Sequence, residues 1–345
     1  NTLEFGSPNK PIPEILVDGL GVHQFFTELH LTPNRDTNQF FLRLGRQEFD
    51  FGNGLLISSR EGPNNRQAFD AVSLVYKRKK FTSHFLTATP VIINPDIFDN
   101  SHIEEYIWGV YNTFRQEKTF KFDAYYFGFN SKRRAYNFTK GEQTRHTFGG
   151  RWWAQTKKIK VEIESMYQTG KFNEETINAF NLTTEGYYVF DKVFLKPILG
   201  FGGSFITGDK EKNNNQPNTY DPMYPKPVYG LASPYGPSNI TNLRFITGIQ
   251  PTKQFFINMN VYFLARQSNQ DGSYTPSMDQ IRPFPPYSTL KKKIGTQYAL
   301  DIFYLPNEHF TFLTFLAYIK PGEYIAETGV GKPIYYLAVP GSYKF

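Results

Sequence analysis

The feature that most restricts this chain is a period-two alternation of apolar and polar residues that recurs from one end to the other. From Phe255 to Arg266 one face carries Phe255, Ile257, Met259, Val261, Phe263 and Ala265. The other carries Phe256, Asn258, Asn260, Tyr262, Leu264 and Arg266 and is distinctly more polar. Successive side chains of a strand point to opposite faces, so this pattern describes a sheet with one oily and one wetter side. Ile294 to Tyr304 repeats it. So does Ile159 to Gly170, where Ile159, Val161, Ile163 and Tyr167 oppose Lys160, Glu162, Glu164 and Gln168.

About fifteen such strands can be marked: 23–31, 38–49, 69–78, 80–89, 107–116, 120–130, 144–155, 159–172, 179–190, 193–207, 242–250, 254–267, 293–305, 309–319 and 334–345. Their connections alternate in length. Short ones lie near Lys79, at 117–119, 156–158, 191–192, 251–253 and 306–308; long ones lie at 50–68, 90–106, 131–143, 208–241, 268–292 and 320–333. Tight turns at one end and long loops at the other is the arrangement of outer-membrane barrels, with the turns periplasmic. Strands of roughly 9–11 residues, tilted, span the bilayer, and only a closed barrel leaves no backbone edge unpaired in lipid. The expected fold is therefore all-β, a transmembrane antiparallel barrel, with 1–345 forming one barrel domain. A soluble two-sheet protein would alternate too. Against it stand strand length, turn asymmetry and aromatic load.

Composition sharpens this. Aromatics reach 17% of the 345 residues, with 34 Phe and 23 Tyr. Several flank strand ends (Trp108, Trp152, Trp153, Tyr187, Tyr188, Tyr318), as interfacial girdles require. A mean hydropathy of −0.48, with no apolar run of about 18 residues, excludes helical spans. Zero Cys excludes disulfides, thiol nucleophiles and Cys-based zinc. Bacterial barrels carry even strand numbers, and the chain ends Tyr343-Lys344-Phe345, like the C-terminal signal of such barrels. An odd count then leads to the expectation of further strands ahead of Asn1, with the segment holding Pro8, Pro11 and Pro13 as an external loop.

Leu44-Gly45-Arg46-Gln47-Glu48, then Ser59-Arg60-Glu61-Gly62-Pro63-Asn64-Asn65-Arg66, then Phe69-Asp70-Ala71-Val72 resembles the alginate export family. Its pattern reads roughly LGRQE, SRDGPNxR and FDG, so Glu61 and Ala71 are departures. Thr207-Gly208-Asp209, Tyr220-Asp221-Pro222-Met223-Tyr224-Pro225, Gly236-Pro237-Ser238-Asn239 and Ile294-Gly295-Thr296-Gln297 with Asp301 are similar to the same family. The resemblance implies a barrel of about eighteen strands, three of them ahead of Asn1, and export of an acidic polysaccharide through a positive pore.

Parity assigns the charged side chains of such a wall. Arg43, Arg145, Arg151, Lys160, Arg244 and Arg266 fall on the polar, inward face, with Glu162, Glu164, Asn258, Asn260, Gln297 and Asp301 as polar partners. Inward placement avoids about 2–4 kcal/mol for a charge facing lipid at midplane. Inward Arg and Lys would lower the barrier to an anion; the same residues, paired with carboxylates, would merely stiffen a wall. Arg46 shares the outward parity of Leu42 and Leu44, so a bulge or a rim position near Gly45 is expected. With Glu48, Asp50, Arg60, Arg66 and Asp70 it forms a candidate ion-pair motif holding the loop at 50–68, in which Arg60 to Asn64 reads as a constrained turn.

The net charge of +7 places basic residues at 77–80 and 291–293, where lipopolysaccharide phosphates or plain solvation account for them. No nucleic-acid fold is visible. His84, His102, His146 and His309 are scattered, Ser83 and His84 point to opposite faces, and no phosphate loop, dinucleotide fingerprint or metal-ligand pair occurs. Asp209, Asn213, Asn214, Asn215 and Asp221 read as solvated turns rather than a calcium loop. The sequence thus predicts no enzyme, cofactor or metal, but a passive outer-membrane channel for an anionic polysaccharide or similar anion, with membrane lipid, lipopolysaccharide and neighbouring outer-membrane or periplasmic proteins as partners. Its rival is an accessory barrel with a closed lumen that docks partner proteins.

Overall fold

The computed structural model describes residues 21–33, 37–60, 66–94, 98–115, 119–137, 139–210, 218–282 and 288–344. They form one antiparallel meander. Its first half is β1 (Phe25–His30), β2 (Asn38–Gln47), β3 (Phe69–Arg78), β4 (Phe81–Ile92), β5 (Asn100–Ser101), β6 (Glu105–Arg115), β7 (Phe120–Tyr136), β8 (Thr139–Gln155) and β9 (Ile159–Phe172). The second is β10 (Glu175–Val189), β11 (Ile198–Ile206), β12 (Ile240–Ile249), β13 (Phe255–Arg266), β14 (Lys293–Tyr304) and β15 (Phe310–Pro321). A short helix α1 (Glu323–Glu327) precedes β16 (Ile334–Ala338) and β17 (Gly341–Tyr343). Each strand pairs with the next, except that β4 also pairs with β6 past the tiny β5, and β15 pairs with both β16 and β17. Among the described residues β1 and the β16/β17 pair are the sheet's two edges.

Every predicted strand position holds strand, the last one split around Val339-Pro340. Three boundaries differ. The expected loop at 131–143 is mostly a hairpin extension, pairing Arg134 with Gly141 and Tyr136 with Thr139 after a register irregularity. Strand β10 starts at Glu175 because Asn173 takes a left-handed φ of 51° in a tight turn. Strand β11 starts only at Ile198, since Leu195 and Lys196, at φ 62° and 43°, complete a turn just before Pro197. The Pro-rich opening, residues 61–65, Asn213 to Asn215 and Phe345 lie outside the described residues.

Burial runs opposite to that of a soluble protein. On β9 Glu162, Glu164, Met166 and Gln168 are buried, whereas Ile159, Ile163 and Tyr167 are 41–45% exposed. On β11 the outward Leu199, Phe201 and Phe205 are exposed while Ser204 and Ile206 are buried. No second sheet covers these outward residues among the described strands. An oily exposed band over a polar interior is the wall of a membrane barrel.

The interior is filled by the wall's own long connections. Phe49, Phe51 and Leu55–Ile57 from the β2–β3 connection pack with Tyr220, Met223, Tyr224 and Tyr229 from the β11–β12 connection. Tyr274, Met278, Tyr324 and Ile325 join the same cluster. The first two connections zip together: Ser58 N donates to Tyr224 O (2.8 Å), Tyr224 N to Leu56 O (2.9 Å) and Lys226 N to Gly54 O (2.9 Å). This short parallel pairing at Ile57 and Tyr224 makes a composite plug.

Candidate lumenal site

The inward wall charges occur as ladders of ion pairs, because directly opposed residues of neighbouring strands share a face. Arg43 lies across from Glu28, and its Nε and Nη2 donate to Glu28 Oε2 at 3.1 and 2.6 Å. Arg151 is opposed by Asp123 on β7 and Glu164 on β9. It donates to Asp123 (3.2 Å) and to Glu162 (2.9 Å), with Glu164 at 4.0 Å. Tyr111 and Tyr125 hydroxyls donate to Asp123 and Glu164. Lys160 lies 3.1 Å from Glu185 and 3.6 Å from Glu162. Arg244 meets the other oxygen of Glu185 at 2.6 Å and donates to Asn260 Oδ1. Asp301 accepts from Asn260 at 3.5 Å, and Asn258 is half-buried on the same face.

Two other arginines anchor the plug. Arg145, fully buried, donates to Gln168 Oε1 (2.8 Å), Thr219 O (3.1 Å) and the Tyr136 hydroxyl (3.1 Å). Arg266 donates to the carbonyls of Asn269, Asp271, Thr289 and Lys291 and stacks 3.9 Å above the Tyr324 ring. Gln297 donates to Tyr229 O.

The motif at 46–70 is not one network. Arg46 keeps its outward parity, with unbroken register on both sides of β2. At this rim it grips Asp70 through Nε (2.9 Å) and Nη2 (3.0 Å), and Ser101 Oγ donates to Asp70. The rim position, rather than a bulge, satisfies it. Glu48 instead joins Arg66 (2.8 Å) and His23 (2.6 Å). Asp50 caps Ser58 and Ser59. Arg60, at φ 57°, stands over the Tyr224 ring at 5.7 Å, and burial lowers its guanidinium to about 10.

Three groups have surroundings that the sequence reading missed. The first is Asp221, read there as a solvated turn. It is fully buried and accepts from Arg134 Nε (2.8 Å) and Nη2 (2.6 Å), Tyr136 OH (2.7 Å), Gln143 Nε2 (3.0 Å) and Met223 N (2.9 Å). Burial alone would raise its carboxyl; Arg134 and then Arg145 more than offset that and hold it well below the carboxylate range. Asp271, equally buried, accepts from Thr219, Tyr274 and the Asp209 amide, and burial raises it.

The second group, at the end where the turns are short, is Arg115 and Lys121, not singled out by the sequence, with Lys77, read there as part of a solvated or lipopolysaccharide-facing basic run. Arg115 and Lys121 are direct cross-strand partners. Lys77 and Arg115 line one cavity of about 410 Å³ together with Glu28, Arg43, Glu48 and Asp50. Lys121 stands 4.0 Å over the Trp153 ring. None of the three has a carboxylate within ion-pair distance among the described residues. Parity could have found them: Lys121 shares its face with Asp123 and Tyr125.

The third is Lys226 on the plug, facing a second cavity of about 310 Å³ bounded by Lys160, Glu162, Glu185 and Arg244. Burial lowers its ammonium.

The fold, the exposed oily band and the polar interior agree with the motifs around Gly45 and Asp70. No match is found among curated proteins. The sequence profile described as Alginate export matches residues 17–332. Most of the chain lies within that match, so the chain belongs to the alginate export family of outer-membrane β-barrel proteins.

Proposed function

We propose that this protein is a passive, plug-gated channel that carries an anionic polysaccharide, or a similar anionic solute, outward from the periplasm. The observation that carries this is the distribution of uncompensated charge. The inward arginines Arg43, Arg151 and Arg244, with Lys160, are paired with carboxylates, so they contribute little net field. Lys77, Arg115 and Lys121 have no carboxylate at ion-pair distance among the described residues, and they cluster at the short-turn end of β3, β6 and β7. Short turns are periplasmic in such barrels. A cluster of cations there raises the local concentration of a polyanion and lowers its entry barrier. Single exposed charges bind weakly, so a polymer can advance from one to the next. Arg145 and Arg266 act in this reading as plug anchors rather than selectivity groups.

The filled interior favours a second reading, a closed barrel that docks partner proteins. Planar-bilayer recording separates them. The channel reading expects anion-selective current, displaced toward zero selectivity in Lys77→Gln/Arg115→Gln/Lys121→Gln. Silence of folded protein, including variants with a weakened plug, supports the docking role.

A further inference from the structure

We propose that the outer wall carries a binding groove for one anionic glycerophospholipid of the periplasmic leaflet, its phosphate at Arg78 and Lys80 and one acyl chain laid across β4, β6, β7, β8 and β9. The groove follows directly opposed outward residues: Ser83, Asn112, Ala124, Gly150 and Ser165. Their outward neighbours along the same strands are bulky. Phe85, Val110, Tyr126, Phe148 and Tyr167 make one rail, and Phe81, Phe114, Phe122, Trp152 and Ile163 make the other. Ring contacts hold each rail together, as between Tyr126 and Phe148 at 5.2 Å and between Phe81 and Phe114 at 5.0 Å. Residues of the two rails are four positions apart along a strand, about 13 Å between backbones, which leaves the breadth of one chain between the rings. The floor is open at Gly150, where a Cβ would meet nothing nearer than Asp123 O at 3.8 Å; at Gly128 the Trp108 ring already fills the corresponding space. Leu182, opposite Ser165, closes the far end.

The groove is inclined. Counted from the short-turn end of its own strand, Ser83 stands two residues in, Asn112 three, Ala124 four, Gly150 five and Ser165 six. It therefore climbs from the periplasmic rim into the hydrocarbon. It runs about 19 Å across the wall, more than the ~15 Å that one leaflet's chains cover, as an inclined chain needs. The low end asks for a partner that hydrocarbon cannot supply. Ser83, 2% exposed, donates to Asn112 Oδ1 at 2.7 Å. The Asn112 amide nitrogen has no acceptor among the described residues and is not enclosed. An amide left facing acyl chains is costly, and an ester carbonyl of a glycerolipid satisfies it. Below it, Arg78 shares the outward parity of Tyr76, and the turn Lys79-Lys80 joins it to Phe81. All three basic residues are exposed, with no carboxylate at ion-pair distance among the described residues. Cations at a leaflet surface attract anionic headgroups. A basic rim, then a donor at ester level, then an inclined trough follow the order of the parts of one phospholipid. The basic run at 77–80 thus divides: Lys77 lines the lumenal cavity, and Arg78 and Lys80 face the lipid of the short-turn side.

The test is native mass spectrometry of the full chain released from detergent, with phosphatidylglycerol as the probe and diacylglycerol of the same chains as its headless counterpart. Wild type should hold one phosphatidylglycerol per chain, roughly tenfold or more above diacylglycerol, as two cations at a leaflet surface supply. Gly150→Leu fills the trough, and the space there is free. It should abolish the one-lipid peak with both probes, whereas Gly186→Leu, outward on β10 and also unobstructed, should leave it unchanged. Arg78→Gln/Lys80→Gln should bring phosphatidylglycerol down to the diacylglycerol level, and Asn112→Leu should weaken both. Unaltered heat-dependent gel mobility checks the folding of each variant. Equal retention of the two lipids by wild type, or retention unmoved by Gly150→Leu, marks ordinary boundary lipid and overturns the groove. A pair of chains in wild type that Gly150→Leu separates assigns the trough to a second copy and overturns it equally.

Discussion

Replacing Asp221 by Ala should open the plug. This carboxylate collects five hydrogen bonds, two of them from Arg134 at 2.6 and 2.8 Å, with no exposure to solvent. Truncating one member of a buried charged pair costs about 3–5 kcal/mol, because the partner stays buried and unmatched. With tenfold for every 1.4 kcal/mol or so, the closed-to-open ratio of the plug falls roughly 100- to 3,000-fold, since Arg134 and Tyr136 lie on the wall and Asp221 on the plug. Single-channel recording in planar bilayers reads this directly as a rise in open probability. The pH dependence has a definite sign. The carboxyl is held below its ordinary range by Arg134 and Arg145 against the opposing effect of burial. Its contribution is therefore complete above the unfolded value near about 3.9 and is lost only as pH falls through the lower, folded value. Wild-type open probability should stay low but measurable and unchanged from pH 7 to about 4.5, and Asp221→Asn should gate frequently across that whole range. A folded Asp221→Ala protein with wild-type open probability would refute the latch.

Other outcomes follow from the wall. Arg151→Met leaves Asp123, Glu162 and Glu164 clustered without their shared cation, a loss of about 3–5 kcal/mol visible as a lower thermal midpoint. Arg43→Ala, whose pair with Glu28 is about one-third exposed, should cost under about 1 kcal/mol. Gly45→Val should detach β1: Gly45 has φ +123°, and a Cβ would lie 2.4 Å from Phe25 O, so proteolysis should release the N-terminal segment faster. Phe148→Arg puts a charge on the exposed outward face and should lower stability in vesicles by about 2–4 kcal/mol, with a smaller effect in detergent.

The wall was legible because a strand's period is two, so each residue's type announces its face, and neighbours through a short turn inherit their register. Arg43, Arg151, Lys160 and Arg244 fell on the inward side by parity alone. Partners were legible only where they share a strand, as Lys160 and Glu162 do. Glu185 went unassigned because its pairing with Arg244 reaches from β10 across β11 to β12, and single-strand periodicity carries no such information. The plug was opaque for a different reason. Segments 49–60 and 218–239 have no period; Asp221 looked like a turn residue by composition, and only tertiary burial turned it into a latch. Arg46 shows the reverse: parity aimed it outward, and outward it is, with Asp70 opposite to neutralise it at the rim.

These features bear on how selectivity arises. The inner face of this wall carries many polar and charged side chains beside the plug's apolar cluster, and such groups need internal compensation. A charge that is already answered by a neighbour stabilises the wall and has little left for a solute. On the proposed channel reading, the residues expected to discriminate are those with no carboxylate at ion-pair distance among the described residues: Lys77, Arg115 and Lys121 at the short-turn end, and Lys226 on the plug. Counting inward arginines therefore misjudges such a lumen, and the quantity that matters is the cation left over after cross-strand pairing. A Glu placed opposite Lys121, as in Arg115→Glu, should abolish anion preference at the mouth more completely than loss of Arg244, because it both removes one free cation and occupies another. If Arg244→Ala proved the more damaging to the reversal potential, the compensated ladder itself would be the filter.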